Sequence, residues 1–136
     1  MPFVVDASVA LAWHFEDEAS EYADRVLERL RWDTAVVPSV WLLEVANALV
    51  VAERRGRLSP ARVARAVELF SELPITASDL PVSAAYGTVL NLARAYGLSA
   101  YDAAYLELAM REGLPLATQD DALRAAAGAV GVPLVE

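Results

Sequence analysis

Phe3-Val4-Val5-Asp6-Ala7-Ser8 passes from an unbroken apolar run, through a carboxylate, into helix-compatible residues. A short continuous apolar run bounded in this way reads as a strand buried on both faces, the kind that parallel sheets use. Runs of the same kind recur at Ala35-Val36-Val37, Ile75-Thr76, Leu116-Ala117-Thr118 and Pro133-Leu134-Val135. Between them lie helical stretches near Ser8 to Phe15, Asp17 to Arg31, Val40 to Arg55, Pro60 to Leu73, Pro81 to Tyr96, Ala100 to Glu112 and Asp120 to Ala127. Such alternation predicts an α/β fold, a parallel sheet with helices on both faces. Local signals punctuate the helices: Ser59-Pro60 is an N-cap followed by a first-turn proline, and Gly56, Gly97 and Gly113 stand where helices should end.

With 136 residues, 57% of them hydrophobic, the chain can build one sizeable core, and one domain spanning residues 1–136 is expected. The absence of cysteine excludes disulfides, thiolate metal sites and a cysteine nucleophile, and suits a reducing compartment. A charge at Asp6 arrives too soon for a signal peptide. Glu44, Asp79, Pro81 and Arg94 break the apolar runs well short of the ~20 residues that a membrane helix requires, so a cytoplasmic protein is expected.

The net charge of −8 opposes broad electrostatic attraction to nucleic acid. An acid cluster awaiting a cation would account for several of those charges, and all 11 basic residues are arginine. Without lysine there is no P-loop phosphate contact and no Schiff-base chemistry. His14 is the single histidine, which leaves zinc few of its preferred ligands.

Four acids carry the candidate chemistry. Asp6 directly follows the first strand, and ligand sites in parallel α/β sheets form at the carboxyl ends of strands. An N-cap role accounts for it equally well, with Ser8 as the substitute cap. Glu44 and Asn47, three apart, share one face of a helix from Val40 to Ala52 that is otherwise apolar on nearly every side. A buried carboxylate there requires a partner, and a metal or an arginine would serve; a glutamate reaching the surface is the alternative. Asp102 is a candidate for the site and also fits a capping box with Ser99, where the helix dipole favours it. Asp120 and Asp121 follow the fourth strand, and a capping box from Thr118 to Asp121 would leave Asp120 as the freer carboxylate.

Taken together, Val4-Val5-Asp6-Ala7-Ser8, Glu44 with Asn47, Leu98-Ser-Ala-Tyr-Asp-Ala-Ala-Tyr105 and Leu116-Ala-Thr-Gln-Asp120 resemble the motifs of PIN-domain proteins, and within them the VapC toxins of toxin–antitoxin pairs. The resemblance spans nearly the whole chain. It implies a doubly wound parallel sheet of about five strands, with Asp6, Glu44, Asp102 and Asp120 as an acidic quartet at its carboxyl edge. It also implies Ser8 and Asn47 as supporting residues, an RNA substrate, a small VapB-like antitoxin whose C-terminal segment crosses the site, and a homodimer. Oxygen ligands without histidine or cysteine select Mg2+ or Mn2+. Such an ion would activate water for in-line cleavage of RNA, with Glu44 either a ligand or the group that orients the water.

Arg54, Arg55, Arg57, Arg62 and Arg65 cluster around one turn and form the best basic patch for RNA phosphates; a solvated helix end explains them equally well. Trp13, Phe15, Trp32 and Trp41 are candidates for an apolar groove for the antitoxin, although aromatic residues at helical spacing are more often core. Tyr86, Leu90, Tyr96 and Tyr101 are candidates for the homodimer face. Two rivals remain: a PIN-like module that binds a partner without catalysis, and an acidic-pocket phosphoryl-transfer domain, which the missing lysine disfavours.

Overall fold

Phe3, Val4 and Val5 have no exposed surface, as expected of a strand covered on both faces. They form the inner strand β1 (Phe3–Val5) of a computed structural model that describes all 136 residues. β1 pairs in parallel with β2 (Ala35–Pro38) on one side and with β4 (Leu116–Ala117) on the other, while β3 (Ile75–Ser78) continues the sheet beyond β2. The order is β3-β2-β1-β4. Val4 sits opposite both Val36 and Leu116, so the most apolar registers meet at the centre. The fold is thus α/β with a parallel sheet of four strands, against the five expected. Pro133-Leu134-Val135 contributes only an isolated parallel bridge between Leu116 and Leu134. Pro133 has no N–H to donate, and two backbone hydrogen bonds to Leu116 are all that the run achieves.

The helices are α1 (Ala7–Ala12), α2 (Glu21–Arg29), α3 (Val40–Arg54), α4 (Pro60–Glu72), α5 (Val82–Ala84), α6 (Leu90–Tyr96), α7 (Ala100–Glu112) and α8 (Asp121–Val130). The right-handed rule for parallel crossovers, applied to this strand order, puts the helices between β1 and β3 on one face and those leading to β4 on the other. Ser59 and Ser99 cap α4 and α7 as their sequences foretell, and Gly97 and Gly113 close α6 and α7 with left-handed backbone. The stretch expected as one helix from Asp17 breaks into a 3-10 turn (Glu16–Glu18) and α2, because Ser20 adopts extended backbone and caps Ala23. Between α5 and α6 lies a π-helical segment (Ala85–Val89) centred on Gly87, a residue with poor helix propensity.

A single cluster of 33 buried hydrophobic residues joins the sheet to the inner sides of these helices. α3 departs from expectation. Only Trp41, Val45, Leu49 and Ala52 of it are buried, whereas Leu42 and Leu43 are 52% and 72% exposed. Its apolarity all round is therefore only partly used by this chain's own core.

Candidate functional site

The strand order reverses between β1 and β4, and such a switch point opens a crevice at the carboxyl ends of the strands. Asp6 stands at its floor, only 5% exposed. It is the N-cap of α1: Val9 N donates to Oδ1 at 2.8 Å, and Ser8 Oγ donates to the same oxygen at 2.8 Å. The Thr118 hydroxyl donates to Oδ2. The capping role foreseen for Asp6 is therefore real, and the carboxylate is held rigidly at both oxygens.

The capping box expected between Thr118 and Asp121 does not form. Asp120 is the N-cap of α8, accepting from Leu123 N at 2.8 Å, so it is not the freer carboxylate. Thr118 lies before the helix on extended chain, fully buried, where Val5 and Ala117 are paired across the strands and bring its hydroxyl to Asp6. The same hydroxyl accepts from Asp120 N at 3.1 Å and so ties the two acidic turns together. Thr118→Val should therefore lower stability by about 1–3 kcal/mol, the cost of leaving a buried carboxylate oxygen and an amide unpaired. Urea unfolding measures this, and a loss under ~0.5 kcal/mol would mean that water replaces the bond without penalty.

Asp102, half-buried, enters from the first turn of α7, where Ser99 Oγ accepts from its amide at 3.0 Å. Glu44, also half-buried, enters from α3. Its hydrogen-bond partner within the chain is a tyrosine and not an arginine: Tyr105 OH donates to Glu44 Oε1 at 2.6 Å. Sequence reasoning passed over Tyr105, although a tyrosine three residues from Asp102 on a buried helix face needs a hydroxyl partner nearby. Asn47 is exposed, one turn along α3 from Glu44.

Three of these acids are shifted in the same direction. Burial, and then the charge of Asp102, push the Asp6 carboxyl above its ordinary range despite the hydrogen bonds from Thr118, Val9 and Ser8. Glu44 is raised by burial and by the charges of Asp102 and Asp6, against the bond from Tyr105. Asp102 is raised by burial and by Asp120, against the Ser99 hydroxyl. Tyr105 is pushed far upward by burial and by its bond to Glu44, so it remains a donor. Asp102 is common to these shifts: its charge raises Asp6 and Glu44, and the charge of Asp120 raises it.

None of the four acids takes part in any ion pair of the chain. An all-oxygen set of mutually repelling carboxylates with no counter-cation fits a hard divalent ion. No three aspartate, glutamate or histidine side chains converge into a ready-made cage, so side-chain rotation would accompany binding.

The remaining candidates divide. Arg54, Arg55, Arg57, Arg62 and Arg65 are all exposed at the α3–α4 turn. Arg57 is held by Asp17 at 3.1 Å and lies over the Phe15 ring, and Arg65 approaches Glu68 at 3.7 Å. The four aromatic residues expected to line one groove do not. Phe15 and Trp41 are core, Trp32 is 73% exposed beyond α2, and Trp13 donates its indole N–H to Ala23 O. Tyr86 and Tyr101 are 78% and 62% exposed, and Leu90 and Tyr96 are less so.

Comparison with known proteins adds four findings. The family model described as PIN domain matches residues 3–129. Ribonuclease VapC3 from Pyrobaculum aerophilum is 36% identical over 124 residues, covering 88% of this chain and 90% of that protein. Among solved structures, PAE2754 from Pyrobaculum aerophilum superposes with a TM-score of 0.66 at 28% identity, covering 93% of this chain and 79% of that one. VapBC2 from Rickettsia felis, bound to a DNA fragment from their promoter, superposes with a TM-score of 0.71 at 14% identity, covering 99% and 98%.

Proposed function

Because the chain belongs to the PIN-domain family, we propose that it is a divalent-cation-dependent endoribonuclease of the VapC toxin type, a single nuclease domain over residues 1–136 acting in the cytoplasm. What supports this reading is that Asp6 and Asp120 cap the helices that follow the two strands at the switch point, and that neither they nor Glu44 and Asp102 pair with any basic group. Asp6, Asp102 and Asp120 would hold Mg2+ or Mn2+, with Glu44 either completing the set or orienting the attacking water. When bound, the ion supplies neutralisation of phosphate charge and acidification of water. The chain's own part is to fix the carboxylates. Thr118 and Ser8 hold Asp6, the α8 N-terminus holds Asp120, and Asn47 borders Glu44.

RNA would approach past Arg54, Arg55 and Arg62, which make no ion pair, with Arg57 and Arg65 at the rim. A cavity of about 350 Å³ lined by Trp13, His14, Phe15, Arg62 and Arg65 lies on this route. Ala12 lines both it and the opening over Ser8 and Asp120. A VapB-like antitoxin is the expected partner, in keeping with the likeness to VapBC2. A homodimer through Tyr86, Leu90, Tyr96 and Tyr101 accounts for their exposure. No helix is long and apolar enough to cross a membrane.

The purified protein should cut a labelled total-RNA pool with Mn2+ or Mg2+ and leave it intact in chelator. An unchanged pattern in chelator would sink the reading. One observation favours a partner-binding module without catalysis, namely that the acids do not already form a closed cage. Mn2+ binding without cleavage would support that module instead.

A further inference from the structure

Glu44 projects from a helix whose neighbouring positions, Leu43 and Asn47, face solvent. A glutamate on such a helix has several rotamers, most of them leading away from the crevice, and holding it inward costs side-chain entropy. Tyr105 supplies the restraint. Its ring is 1% exposed and packed in the core of α7, and its hydroxyl donates to Glu44 Oε1 at 2.6 Å. Asp102 and Tyr105 are three apart and share one face of α7. One helix thus brings its own carboxylate to the site and also grips the carboxylate of another.

We propose that Tyr105 is a positioning residue that binds one oxygen of Glu44 and so holds the Glu44 carboxylate turned toward the site. The proposal rests on the nuclease reading above. The phenol fixes the direction of Oε1 and so limits how the Glu44 carboxylate can turn away from a cation or a water. Oε2, which accepts no hydrogen bond within the chain, is the freer of the two oxygens for the cation or the attacking water. Neither the acidic motifs nor the relatives' names assign Tyr105 any part in this.

Tyr105→Phe removes one oxygen and keeps the buried ring. Glu44 is only half-buried, so water can reach the released oxygen and the variant should fold. The experiment compares wild type, Tyr105→Phe, Glu44→Gln and the double variant by Mn2+ titration calorimetry and by RNA cleavage. Leu106→Met serves as a control for mild loosening of the α7 core. The single phenylalanine variant should lose about 10–100-fold in Mn2+ affinity or in kcat, the range for removing a residue that orients a ligand. In the Glu44→Gln background the same change should cost less than about threefold, because the group through which Tyr105 acts is already gone. Three results would overturn the proposal: a loss under threefold in the single variant, an equal loss in both backgrounds, or a matching loss in Leu106→Met. A wild type that neither binds Mn2+ nor cuts RNA is a different result, and it removes the nuclease reading itself.

Discussion

Asp102→Asn is expected to yield a folded protein that no longer cuts RNA. Cleavage should fall by on the order of 10³-fold, equivalent to about 4 kcal/mol of transition-state stabilisation. The reason is positional. Asp102 is the acid whose charge is felt by Asp6 and Glu44 and which itself feels Asp120, so its loss weakens every pairing on which a shared cation depends. Asparagine is nearly isosteric, and the Ser99 cap binds the backbone amide of residue 102 rather than its carboxylate, so α7 keeps its start. Two small effects on stability oppose one another. Loss of a negative charge from the first helical turn costs about 0.3–1 kcal/mol, while relief of repulsion from the neighbouring acids offsets it. Parallel thermal melts and RNA-cleavage time courses check both halves. Cleavage within tenfold of wild type would show that Asp102 is a first-turn helix residue and nothing more.

That ambiguity is built into how such a site is encoded. Asp6, Asp102 and Asp120 each sit within the first turn of a helix or at its cap, where the dipole and the free amides favour a carboxylate whatever the function. Sequence reading therefore marks these positions readily, for a cap or for a site, but does not divide the labour among them. It assigns the α8 cap to Thr118, because a hydroxyl three residues before an acid is a capping signature. It has no means of seeing that the β1–β4 register carries that hydroxyl to Asp6. Tyr105 escapes notice for the same reason: its partner lies 61 residues away on another helix. Features that depend only on neighbours in the chain are legible, as Ser59-Pro60, Ser99, Gly97 and Gly113 show. The exposed apolar side of α3 is a further limit, since hydrophobicity tells that a face will be covered and not by which molecule.

The largest effect on stability should come from the cation, and its sign should depend on Asp6. In chelator at pH 7.5, Asp6→Asn should be more stable than wild type. The raised Asp6 carboxyl means that folding confines a charge which the unfolded chain leaves in water. Asparagine keeps the oxygen that accepts from Val9 N and Ser8 Oγ, so the α1 cap survives, and its NH2 in place of Oδ2 can donate to the Thr118 oxygen, so that the bond is turned round and not lost. As pH falls through the raised folded value toward the ordinary aspartate range, wild-type Asp6 takes up a proton in the folded state first, and the advantage of the variant should shrink. His14, lowered by burial, and Asp33, lowered by the N-terminus and Arg29, also shift stability with pH. Both are common to the two proteins and cancel in the difference. Saturating Mn2+ at pH 7.5 should reverse the order. An ion present at 100 times its Kd stabilises the wild type by about 2.7 kcal/mol, roughly 10 °C for a domain of this size, whereas the variant gains little. Differential scanning calorimetry of both proteins at two pH values, with Mn2+ and with chelator, measures the whole pattern. Equal responses to Mn2+ would show that the ion binds elsewhere. A wild type more stable than Asp6→Asn in chelator at pH 7.5 would show that Thr118, Ser8 and Val9 stabilise the buried carboxylate more than its burial costs.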